Sequence, residues 1–129
     1  MIEMLPAPPH VAAFHFSGTL TAADYDRCIA AVESRLREHA RIGLLSDLTG
    51  MTGIEPEAMG KDLRYAMDKF GEYRRFARSA VVTERDWLAQ VSTFAGVFLP
   101  HSELRTFEPG EREAALAWVA DIESEPRAD

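Results

Sequence analysis

One cysteine, Cys28, in 129 residues is the first informative scarcity. A lone thiol can close no internal disulfide and build no multi-cysteine metal site, so a reducing, cytoplasmic setting is expected. Long apolar runs are missing too. No segment approaches the ~20 residues needed to cross a bilayer, and the N-terminus lacks the basic region and apolar stretch of a signal peptide. Basic residues are outnumbered, 14 Lys and Arg against 21 Asp and Glu, for a net charge of −7. That balance argues against nucleic acid as a partner, because phosphate binding needs a basic footprint. Neither a Gly-x-Ser-x-Gly elbow nor a phosphate-cradling Gly-rich loop ending in Lys-Ser/Thr occurs.

What is present suits one globular domain over residues 1–129. At 47% hydrophobic and 27% charged residues, the chain can build a real core. The charge is uneven. Residues 61–78 hold six basic residues (Lys61, Arg64, Lys69, Arg74, Arg75, Arg78) against three acidic ones, whereas both flanking regions are net acidic. This stretch reads either as a solvated helix face and turn or as a patch that steers an anionic partner or lipid surface.

The organising stretch is residues 41–60. Ile42, Leu44, Leu45 and Leu48 suit a strand buried on both faces. Gly50 and Gly53 are expected to turn the backbone. Glu55-Pro56-Glu57 then opens a helix, with proline tolerated in the first turn and acids complementing the helix dipole. In open α/β sheets, ligands meet the loops at the carboxyl ends of such strands, which makes 47–60 the candidate functional surface.

Around it, residues 1–5 read as an edge strand closed by Pro6, Pro8 and Pro9, and 10–17 as a second strand hairpinned to it. Residues 18–24 read as a turn into a helix, with Thr21 as N-cap and Asp24 three residues on. That helix, 22–38, carries Tyr25, Ile29, Val32 and Leu36 as its apolar stripe. A second helix, 56–70, has Met59, Leu63, Met67 and Phe70 at the same spacing and ends at Gly71. Residues 75–83 form a strand. A third helix, 84–98, presents Trp87, Val91, Phe94 and Phe98. Residues 104–108 form a last strand, and a final helix buries Ala115, Trp118, Val119 and Ile122. The polar 123–129 segment is expected to fray. The order ββαβαβαβα predicts an α/β fold with a mainly parallel sheet packed with helices and right-handed crossovers.

At the loop, Asp47-Leu-Thr-Gly-Met-Thr-Gly-Ile-Glu-Pro-Glu-Ala-Met59 resembles the STAS domain of bacterial anti-sigma-factor antagonists. Those carry Asp-Leu-Ser-Gly-Val-x-x-Ile-Asp-Ser-Ser-Gly-Leu at a strand-to-helix junction. The 18–24 turn, the Asp47 loop and the Arg78-Ser-Ala-Val strand look similar to the small SpoIIAA-like group, of STAS/SEC14 type. The resemblance implies a single STAS-like domain across nearly the whole chain. Its departure is informative: the regulators' phosphorylated serine falls on Glu57, and the serine before it on Pro56. Neither accepts phosphate, so a serine switch is expected to be absent, with Glu57 supplying fixed charge instead. Thr49 and Thr52 keep hydroxyls that suit turn caps.

Chemistry-bearing residues are sparse. His10 and His15, five apart on one strand, point to opposite faces, so no joint metal site is expected. Cys28 reads as a small hydrophobe. Asp47, Glu55 and Glu57 are expected to cluster near one sheet edge; Asp47 would tie the loop through backbone N–H bonds, and the two glutamates would complement a dipole. An enzyme using these carboxylates is the least favoured reading, and no cofactor or metal is expected. Met59, Leu63, Met67, Phe70, Phe94 and Phe98 either pack the core or line an adaptable apolar groove. SEC14-type carriers, which the architecture resembles, hold acyl chains under a movable helix. The expected function is therefore a non-enzymatic, bacterial binding module for an apolar ligand, a lipid or a membrane surface touched peripherally. The alternative is a partner-switching regulator that docks a kinase or sigma-type protein through Asp47, Thr49, Thr52, Glu55 and Glu57. A homodimer through the edge strand is compatible with either.

Overall fold

The computed structural model describes residues 1–68, 75–84 and 103–122. Five strands form one sheet in the order β1-β2-β3-β4-β5: β1 (Ile2–Met4), β2 (Val11–Leu20), β3 (Ile42–Ile54), β4 (Phe76–Val82) and β5 (Glu103–Phe107). β1 is antiparallel to β2, as a short hairpin with no crossover requires. β2, β3, β4 and β5 run parallel. Helix α1 (Ala22–Glu38) joins β2 to β3, α2 (Pro56–Asp68) leaves β3, and α3 (Arg112–Ala120) follows β5. The expected helix over 84–98, with Phe94 and Phe98, lies outside the described residues, as do Phe70 and Gly71.

The apolar run in β3 divides by strand alternation. Ile42, Leu44 and Leu48 join a core beneath α1 and α2 with Phe14, Phe16, Val32, Leu36 and Val81. Leu45 faces the other side, with Val11, Ala13, Ala80, Val82, Ala115 and Val119 under α3. Both faces are covered, which is why this strand tolerates so little polarity. Gly43 lets α3 settle on the sheet: a Cβ there would lie 2.4 Å from the Val119 carbonyl oxygen.

α1 begins where expected. Thr21 Oγ1 accepts from Asp24 N at 3.1 Å, and Asp24 Oδ2 accepts from Thr21 N at 3.1 Å, a complete capping box. Burial would raise the Asp24 carboxyl, but the Thr21 N–H, the Met1 ammonium 3.1 Å away and the Thr21 hydroxyl outweigh it and hold its pKa below the ordinary value. At the other end no glycine caps α1; His39 is extended. The orphan carbonyls there are met by Arg75, whose guanidinium donates to the Leu36, His39 (3.0 Å) and Ala40 (3.1 Å) oxygens.

Two expectations are corrected. The glycine-rich segment 49–53 is strand, not turn: β3 runs on to Ile54, pairing Gly50 with Ser17, Met51 with Gly18 and Gly53 with Thr19. The 18–20 segment likewise belongs to β2. Glycine is used here for close approach, since a Cβ on Gly50 would stand 3.2 Å from His15 Nε2, the Phe16 oxygen and Ser17 Cβ. Register shifts between His15 and Ser17 and between Gly18 and Thr19 absorb the irregularity. Gly18 alone in this ribbon takes a positive φ, 64°. Second, Met59 does not lie on the buried stripe of α2. Ala58 is fully buried and Tyr65 packs against the first core, so the inward face is rotated by one residue, and Met59 is 39% exposed.

Candidate functional site

β4 ends at Val82, level with Asp47. Beyond that level, β3 is paired only with β2 among the described residues. The two strands project as a ribbon and deliver α1 and α2 at their ends. Glu55 N donates to the Leu20 oxygen at 2.9 Å, tying the two helix starts together, and the Glu55 carbonyl accepts from Met59 N at 3.1 Å to open α2. Pro56 is the first helical residue and Glu57 supplies the acid of the first turn, as the sequence anticipates. Glu55, Pro56, Glu57, Met59 and Thr52 are all exposed. Together they form an exposed corner at the N-terminus of α2, with one large apolar residue and two acids within its first turn or next to it.

Asp47 is not part of that corner. Seven strand residues lie between it and Glu55, a rise of roughly 25 Å at ~3.3 Å per residue, so the expected carboxylate cluster does not form. The reason is the unbroken strand, which a turn at Gly50 and Gly53 would have folded back. Asp47 is 4% exposed, and its carboxylate is fully engaged. Oδ1 accepts from Thr49 N at 3.0 Å and from Thr49 Oγ1 at 2.7 Å. The backbone tie read from the sequence is there, and the Thr49 hydroxyl completes it. Oδ2 accepts from Arg112 Nη1 at 3.1 Å. Arg112 was not anticipated; in sequence it looks like any cation in the first turn of a surface helix. His15 is the register partner of Asp47 on β2, while His10 contacts the Ala120 oxygen at 2.9 Å. Among the described residues no three His, Cys, Asp or Glu side chains converge as a metal site.

The basic stretch divides in the same way. Lys61 pairs with Asp26 on α1 at 3.0 Å, Arg75 caps α1, and Arg78 Nη1 donates to the Trp118 oxygen at 2.8 Å. These three cations bind the protein to itself, which favours the structural reading of that stretch. Lys69 and Arg74 lie outside the described residues, as do the side chains of Leu63 and Met67. Cys28 is half-buried against the first core.

A mostly parallel five-stranded sheet, one antiparallel edge and helices on both faces define a STAS-type α/β domain. The SpoIIAA-like family profile matches residues 11–120, and the chain belongs to that family. A solved structure similar to it is an uncharacterized protein with a SpoIIAA-like fold from Shewanella loihica PV-4. The two are 26% identical over 92% of each chain, with a TM-score of 0.65. No curated protein matches.

Proposed function

We propose that this chain is a non-enzymatic binding module that docks a protein partner through the β3–α2 corner. The observation that carries the reading is Met59, 39% exposed directly beside the fully buried Ala58. A large flexible apolar side chain in water is a natural interface anchor. Glu55 and Glu57, exposed at the same helix start, carry charge that would orient a basic partner surface and set its rate of approach. Pro56 and Glu57 stand where related regulators carry serines, so docking here is constitutive and not gated by phosphate at those positions. Thr52 lies on the same projecting ribbon, and Asp47 and Thr49 stiffen its base. Affinity capture with the wild-type chain, Glu57→Lys and Met59→Asp tests this. A captured protein retained by wild type and lost at least fivefold in both variants supports it; equal retention by all three sinks it.

A second reading has its own motivation: the large hydrophobics exposed among the described residues, Met1, Met4 and Met59, are all methionines. Such side chains adapt to an acyl chain or a membrane surface. Native mass spectrometry of the purified chain, with vesicle flotation, separates this from the first reading. Co-purified lipid or flotation that survives Glu57→Lys favours the lipid reading; a lipid-free, non-floating chain removes it.

A further inference from the structure

The opposite face of the sheet, under α3, carries a second feature. Arg78 on β4 and Arg105 on β5 lie on the same side, since Arg105 is level with Ala80, two residues on from Arg78. Both guanidinium groups stack on aromatic rings. Arg78 sits 4.8 Å from the Trp118 ring centroid, and Arg105 sits 4.9 Å from that of Phe107 and 5.9 Å from that of Trp118. The two rings are 6.1 Å apart and tilted by 56°. Arg78 has a structural task, closing the carbonyl end of α3 through the Trp118 oxygen. Arg105 does not. It is exposed and has no carboxylate partner among the described residues. Its place over Phe107 restrains the guanidinium while its N–H groups have no carboxylate partner among the described residues, a setting suited to receiving a carboxylate. β5 is also the last strand of the sheet order, paired with β4 and with no other described strand. Among the described residues no strand lies beyond β5, and such a rim is a template for an added strand.

We propose that β5, with Arg105 on its aromatic support, is a docking edge for an acidic segment of a partner protein laid alongside it in extended form. Charge complementarity argues for this occupant: Arg78 and Arg105 share this face of β4 and β5 with one acid, Glu103, which is level with Arg78, and Arg105 has no carboxylate partner among the described residues. The added strand's backbone would satisfy the rim, and a glutamate or aspartate would meet Arg105. This surface lies across the sheet from the Met59 corner and stands or falls independently of it.

Amide NMR with a synthetic peptide of alternating valine and glutamate tests it. Expected are shifts at residues 104–107 and at the Trp118 indole, saturating with peptide and absent with the valine–glutamine version. Arg105→Glu should abolish the shifts and Arg105→Lys should weaken binding at least fivefold, because an ammonium neither stacks nor forks. Arg27→Glu, the same charge change on exposed α1, should leave binding unaltered. Equal binding of the glutamine peptide, equal shifts with inorganic phosphate alone, or full binding by Arg105→Glu would each overturn the proposal.

Discussion

Arg112 places its Nη1 atom 3.1 Å from Asp47 Oδ2 across 65 residues of sequence. The pair joins the start of α3 to the central strand at the level where β4 ends. It is asymmetric: the carboxylate side chain is 5% exposed and the arginine 48%. Desolvation therefore falls mainly on Asp47, whose three hydrogen bonds offset it.

Removing the carboxylate should cost more than removing the arginine. Asp47→Ala strands the Thr49 N–H and frees α3, with an expected loss of about 2–3 kcal/mol. Arg112→Ala leaves the Thr49 bonds in place, and its half-exposed charge is screened, so about 1–2 kcal/mol is expected. Urea unfolding of both variants and the double mutant checks the order, and a double-mutant loss smaller than the sum confirms coupling.

Two glycines should respond oppositely to alanine. At Gly43 a methyl group meets the Val119 carbonyl. Backbone cannot rotate away, so α3 must lift and about 3 kcal/mol is lost. Gly60 sits inside α2 with nothing within 4 Å of its Cβ position. Gly60→Ala should raise stability by about 0.5–1 kcal/mol through helix propensity. Thermal unfolding of the two variants distinguishes clash from propensity.

Arg75→Ala should destabilise the C-terminal turn of α1 by about 1–2 kcal/mol, because three carbonyls lose a charged donor. Arg75→Lys should recover only part of this, since one ammonium cannot reach all three in a planar fork. Hydrogen exchange confined to the end of α1 and the start of β4 is the expected signature.

Asp24 gives a pH dependence of definite sign. Its folded pKa is depressed, so its contribution is complete above the ordinary aspartate value of about 3.9 and disappears as pH falls through the lower folded value. Asp24→Asn should cost about 1 kcal/mol at pH 7. The gap from wild type should shrink below about pH 4. A gap that stays constant between pH 7 and pH 3 would contradict the assignment.

Short-range patterns carried most of the architecture. Thr21 and Asp24 announced the start of α1, Tyr25, Val32 and Leu36 its buried stripe, Pro56 and Glu57 the opening of α2, and Asp47 its own tie to the backbone. Each depends on residues a few positions apart, where spacing alone sets geometry. Errors arose where a distant neighbour decides. Gly50 and Gly53 carry a turn signature, but β2 runs alongside and pairs with them, and ladder bonds outweigh local preference. The α2 stripe through Met59 competes with one through Ala58 and Tyr65, and the packing of α1 chose the second.

Composition and periodicity thus determined a two-layered helix cover over a mainly parallel sheet, because burial of apolar stripes follows repeat spacing. Only the tertiary structure decided which charges are already matched: Asp47 with Arg112, Lys61 with Asp26, Arg75 with the end of α1. It also separated Asp47 from Glu55 by the length of a ribbon and turned Met59 outward. Those outcomes depend on through-space distances between remote segments, and no local pattern encodes them.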